Sequence, residues 1–235
     1  MDILGDPRRS LGTSQTEAPL RTDVTLPVTY CTLSMEASNA NSSSDAPVLV
    51  GVLGGLGPAA SALFAQLVVD EGEKGATKDS DHPPMLMYNN PQLPNSRAAA
   101  IGEGPSPREG MAETFRRLLR AGASHVCVVC NTAHAFARDA AKDAGAEFLD
   151  MLNLTADHVV HRLREMQQNG EGGAANGDAG AAPLRVGLLS TDGTIKLNLY
   201  QDAIKEAAKK QLGDEAAVEV LVPDDLSVTQ GCILR

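Results

Sequence analysis

The sequence predicts an α/β protein built on parallel sheet, with one complete lobe and part of a second. Three observations carry that expectation. Short apolar runs alternate with helical stretches, the runs end in turns bearing Gly, Asn or Cys, and the alternation restarts after a Gly/Ala-rich interruption. Strands separated by helices are joined by crossovers, which lay the strands parallel and cover the sheet with helices. In such sheets ligands bind beyond the carboxyl ends of strands, so the strand-end turns are where function is sought.

Residues 1–46 hold 13 Ser or Thr, six acidic residues and three Arg, with no sustained apolar periodicity. They read as a disordered leader, because an organelle transit peptide is Arg-rich and poor in acids. Residues 47–168 form the first predicted lobe. The continuous apolar run 48–53 suits a strand buried on both faces. Gly54-Gly55-Leu56-Gly57 then turns the chain, and Pro58 stands where the first position of a helix over 59–71 falls. A second strand over 85–88 ends at Asn89-Asn90-Pro91. Met111, Phe115, Leu118 and Leu119 line one stripe of a helix over 108–121, stopped by Gly122. A third strand, 124–129, leads into a helix over 132–145 closed by Gly145. A brief strand at 148–149 and a helix over 155–168 complete this lobe.

The segment 169–182 is Gly/Ala-rich with nothing to bury, and reads as a flexible loop. Residues 183–235 restart the pattern as a partial second lobe: a strand over 185–189, a turn at 191–194, a helix over 196–212 and a strand over 218–222.

Composition narrows the function classes. A chain of 235 residues that is 43% hydrophobic has enough apolar material for a core. Its net charge of −10 argues against a nucleic-acid partner or an anionic membrane surface. The longest apolar stretch is far too short to span a bilayer. Four cysteines are too few for a disulfide scaffold, and no signal-peptide pattern precedes them, so a cytoplasmic location is expected.

The turns carry the chemistry. GVLGGLGP (51–58) lacks both the spacing of a dinucleotide fingerprint and the Gly-Lys-Ser/Thr of a P-loop. It is either a tight structural turn or one that offers backbone N–H groups, as at Gly55, to a carboxylate. Cys127 and Cys130 are three apart on a strand, which puts their side chains on opposite faces and makes Cys127 a buried strand residue. Cys130 ends the strand and faces a helix N-terminus, a position that favours a thiolate; the alternative is a buried cysteine before a helix cap. Asn131 and Thr132 beside it supply short polar groups suited to a carboxylate. The loop 89–97 is polar and stiffened by proline, with Asn90, Gln92 and Arg97 as candidate ligands; the alternative is a plain solvated loop. Thr191, Thr194 and Lys196 offer hydroxyls and an ammonium at the next turn, or simply belong to a capped helix start. His158 and His161 read as surface residues.

Four motifs in order, GVLGGLGPAAS, NNPQLPNSR, VCNTAHAF and GLLSTDGTIKLNLYQ, resemble the aspartate/glutamate racemase family, nearest to its aspartate racemases. The resemblance implies two similar α/β lobes with the active site between them. It also implies racemisation of a small acidic amino acid without pyridoxal or any other cofactor or metal, and a homodimer. Each lobe of such an enzyme contributes one cysteine, one taking the α-proton as thiolate and the other returning a proton to the opposite face. Cys130 matches the first-lobe cysteine, and Asn131 and Thr132 match residues that hold the α-carboxylate. By the same resemblance Gly55, Asn90, Gln92 and Thr191 line the substrate site, while Arg97 and Lys196 serve the side-chain carboxylate. The family's Pro-Asp-Arg-Thr reads here as Pro94-Asn95-Ser96-Arg97, one residue longer.

The family's second cysteine lies in Gly-Cys-Thr-Glu. Gly231-Cys232 echoes only its first half and follows 218–223 too soon, so Cys232 is read as incidental and the second lobe as incomplete. Two other readings follow: a non-catalytic homologue that binds an acidic small molecule or a partner subunit, and a one-cysteine enzyme akin to arylmalonate decarboxylases.

Overall fold

The computed structural model describes residues 48–169, 184–213, 218–227 and 229. The expected leader, residues 170–182 of the Gly/Ala-rich segment, and Cys232 lie outside the described residues.

The architecture is α/β with parallel strands, as the alternation predicts. Strands β1 (Val50–Gly54), β2 (Met85–Asn89), β3 (His125–Val128) and β4 (Glu147–Phe148) form a parallel sheet in the order β2-β1-β3-β4. Strands β5 (Leu184–Gly187) and β6 (Val218–Leu221) form a second, parallel pair. The register sets Leu53 beside Val128 and Gly54 beside Asn89, which brings the turns after β1, β2 and β3 together at one sheet end.

Helices α1 (Pro58–Glu73), α2 (Ser96–Ala100), α3 (Arg108–Arg120) and α4 (His134–Ala144) follow the first three strands. The apolar stripe predicted for α3 buries Met111, Phe115 and Leu118 against Val126, Val128 and the alanines of α4. Truncating a fully buried phenylalanine such as Phe115 to Ala costs about 3–5 kcal/mol. The other face of the sheet is less filled. Val50, Val52 and Cys127 line an apolar cavity of about 520 Å³ between it and α1 and α5.

Helix α5 (Met151–Gln168) begins a turn before the predicted start, because the Asp150 carboxylate accepts from the Leu152 and Asn153 N–H groups and caps it. Although α5 precedes the Gly/Ala-rich segment, it buries Ala156 and Val160 in the second core, against Ala203, Ile204, Ala207 and Ala208. Those four residues belong to α7 (Leu199–Leu212). The turn expected at 191–194 is largely a short helix, α6 (Asp192–Lys196), and the helix expected over 196–212 starts only at Leu199 as α7, the two separated where Asn198 takes φ 52°, a conformation that a continuous helix cannot contain. Among the described residues no helix is long and apolar enough to cross a membrane.

Candidate active site

Cys130 lies two residues beyond β3. The Asn131–Ala133 turn then folds back through His134 N–H to the Asn131 carbonyl (3.1 Å) and Ala137 N–H to the Ala133 carbonyl (3.0 Å), which starts α4. The buried His134 ring pins this turn from below, its Nδ1 lying 2.8 Å from the Cys130 carbonyl oxygen. A carbonyl only accepts, so Nδ1 carries the proton; burial, foremost, holds the imidazole below its ordinary pKa and keeps it neutral.

The half-buried Cys130 opens into a cleft of about 700 Å³. Its other walls come from three further strand-end turns: Gly55 and Leu56 after β1, Leu93, Ser96 and Arg97 after β2, and Ser190, Thr191 and Thr194 after β5. Ser96, 7% exposed, sets its Oγ 3.7 Å from the Cys130 Sγ. Cys127 is the contrast, buried behind the strand with its thiol pushed up to about 11 by desolvation.

The part of the chain after α5 closes the cleft through side chains. Tyr200 donates its hydroxyl to Asn131 Oδ1 at 2.8 Å, so the Asn131 amide keeps its NH2 as the donor available to a bound anion. Thr132, Thr191 and Thr194 form a triangle of hydroxyls with Oγ1 separations of 2.8, 3.1 and 3.1 Å. Arg97 donates from Nε and Nη2 to the two oxygens of Asp192, at 2.7 and 2.9 Å, a fork-on-fork pair.

A sheet-end thiol in a cleft between two α/β parts is the arrangement that the sequence motifs imply, and the model of one family, described as Asp/Glu/Hydantoin racemase, matches residues 53–231. The chain belongs to that family. Among proteins like this family member, the broad specificity amino-acid racemase RacX of Bacillus subtilis (strain 168) is 23% identical over 159 residues, 67% of this chain. The chain spans 60% of the length of that curated relative. The Picrophilus torridus aspartate racemase superposes with a TM-score of 0.60 at 22% identity, covering 80% of this chain and 67% of that one. PH1733, an aspartate racemase homologue from Pyrococcus horikoshii OT3, gives 0.53 at 18% identity, covering 79% and 70%. These two likenesses are of fold.

In this Asp/Glu/hydantoin racemase family member, Cys130, Asn131, Arg97, Thr191 and Gly55 meet at the cleft. The other sequence candidates stand differently. Asn90 turns its amide toward α3 and donates to Thr114 Oγ1 (3.2 Å). Gln92 is exposed and outside the cleft lining. Thr132 is buried, its hydroxyl engaged with Thr191 and Thr194. Lys196 is 60% exposed and 3.9 Å from Asp192. The Gly55 N–H, which the sequence left open between a structural turn and a carboxylate ligand, donates to Ser61 Oγ at 2.9 Å.

Sequence reasoning left out Ser96, Ser190, Asp192 and Tyr200 as lining or supporting residues of the cleft. Asp192 sits inside the 191–194 turn and was reachable there. Tyr200 carries no local signal, since its partner Asn131 lies 69 positions away. Among the described residues no group of three His, Cys, Asp or Glu side chains could hold a metal.

Proposed function

We propose that the cleft binds an α-amino acid and that Cys130 exchanges its α-proton. As thiolate Cys130 takes the proton and leaves a carbanion conjugated with the carboxylate; as thiol it returns the proton. So weak a carbon acid needs a base at contact distance and donors aimed at the carboxylate oxygens, where charge develops. The observation that carries this reading is the placement of the Cys130 thiol at the sheet end, in one cleft with the Asn131 amide and the hydroxyls of Ser190 and Thr191.

Inversion also needs an acid on the opposite face of the substrate. Among the described residues the facing wall offers hydroxyls, from Ser190 and Thr191, and no second thiol. Exchange of the α-hydrogen with solvent is therefore the step that belongs to Cys130 itself. The aspartate-type motifs imply an acidic substrate, whose side-chain carboxylate would need Arg97 and Lys196. Both face Asp192, so an acidic side chain would have to share them with that carboxylate.

The test is proton NMR of L- and D-alanine and L- and D-aspartate in deuterated water, with the chain and its Cys130→Ser form. Loss of the α-proton signal that requires Cys130 supports the reading. No Cys130-dependent loss with any of the four overturns it.

A further inference from the structure

Arg97 and Lys196 are the two cations that an acidic side chain would need, and one carboxylate of the chain itself already stands between them. The Arg97 guanidinium meets Asp192 through two parallel hydrogen bonds, 2.7 and 2.9 Å, and Lys196 Nζ lies 3.9 Å from the same carboxylate. Asp192 is held for this task. It sits at the start of α6, its Oδ1 also accepts from the Gly193 N–H at 2.8 Å, and it is only 16% exposed. Its neighbours in the chain, Thr191 and Thr194, line the cleft on which Cys130 opens.

We infer that Asp192 is a specificity-determining residue: it fills the position of a substrate side-chain carboxylate and turns the site toward amino acids with uncharged side chains. The inference rests on the reading of the Cys130 cleft as an amino-acid site and names the side-chain class that this site takes. Asp192 takes the Nε/Nη2 edge of the guanidinium and neutralises its charge, so an acidic substrate must displace that carboxylate or settle for the remaining end-on edge of an already neutralised cation. A substrate with a neutral side chain asks for neither. The cleft supplies such a side chain with apolar contacts from Leu56, Ala60, Leu93 and Met151. Asp192 thus acts by repulsion and occupancy together, excluding the acidic competitor rather than attracting the preferred one.

The test is calorimetric binding of L-leucine, L-alanine and L-aspartate to the full chain, its Asp192→Asn form, Arg97→Gln, and the double variant. Asparagine keeps the shape and the acceptor for Gly193 N–H while removing the charge, and thermal melting checks that each variant folds. The wild-type chain is expected to favour the uncharged amino acids. Asp192→Asn should raise the aspartate-to-leucine affinity ratio about tenfold or more, the worth of a charge-assisted hydrogen bond. With Arg97 already replaced by Gln, the same substitution should move that ratio by less than about threefold, because the freed fork no longer exists. Wild-type preference for aspartate, an unmoved ratio in Asp192→Asn, or an equal effect in the Arg97→Gln background would overturn the inference. If no amino acid binds to any form, the amino-acid site itself fails, and that outcome is distinct from a wrong side-chain class.

Discussion

Ser96 Oγ stands 3.7 Å from Cys130 Sγ, a contact made across 34 positions of sequence by a five-residue helix. The hydroxyl limits the rotamers open to the thiol and is itself nearly closed off from solvent. Ser96→Ala leaves the sulfur in place but unsteered. The expected result is a fall of roughly fivefold in kcat for α-proton exchange, the loss of one hydrogen bond of about 1 kcal/mol, with KM little changed. Steady-state exchange kinetics check it; a rise in KM at constant kcat would assign Ser96 to binding instead.

The two described cysteines are expected to differ sharply in reactivity. Cys127, pushed up to about 11 by burial, remains a thiol throughout the neutral range and is only 9% exposed, on the apolar cavity at the other face of the sheet. Cys130 opens on the cleft. Iodoacetamide at pH 7.5 followed by peptide mass spectrometry should modify Cys130 and leave Cys127 intact until the protein is unfolded. Equal labelling of both in the native state would contradict the placement of Cys127.

His134 makes stability depend on pH with a definite sign. Its folded-state pKa is lowered, chiefly by burial, so the unfolded chain binds the proton more readily. Its contribution is fully present above the unfolded value, near 6.5, and is lost as the pH falls through it toward the folded value. Urea unfolding at pH 7.5 and at pH 5.5 should show a larger drop in the wild type than in His134→Asn. The asparagine amide nitrogen takes the place of Nδ1 as donor to the Cys130 carbonyl but does not titrate. Parallel drops in the two proteins would remove His134 from the account.

Gly55 and Gly57 both have positive φ, 91° and 115°, yet they should not respond alike to alanine. A Cβ on Gly55 would stand 2.6–2.8 Å from backbone atoms of Asn90 and Pro91, which cannot swing aside. A Cβ on Gly57 meets only the Ala60 methyl at 3.6 Å. Gly57→Ala is expected to cost about 1–2 kcal/mol from backbone strain alone, and Gly55→Ala clearly more, with the β2 end displaced from β1. Chemical denaturation of the two variants orders them; a smaller loss for Gly55→Ala would show the contact to be soft.

The sheet and the position of Cys130 were legible because both write themselves locally. Apolar runs such as 48–53 have few alternatives to a buried strand, and a thiol between such a run and a helix must sit at a sheet end. The misses have equally physical causes. Helix α2 is too short to show a period; it is held by the Asn95 cap, which accepts from the Ala98 N–H, and by the burial of Ser96. The break between α6 and α7 falls at Asn198, with no Gly or Pro to mark it. Arg97 was readable as a carboxylate clamp, but the carboxylate it holds is 95 positions downstream, and no local pattern announces such a partner.

The ties that close the cleft, Tyr200 to Asn131, the three threonines and Arg97 to Asp192, all run between side chains, while each sheet keeps its backbone ladder to itself. Separating the two walls would therefore break no strand hydrogen bond. Amide exchange in β1 and β3 would not register the event, although the site would be gone. The proposed site thus rests on side-chain ties rather than on strand pairing, and heat or denaturant is expected to abolish ligand binding before it unravels the strands.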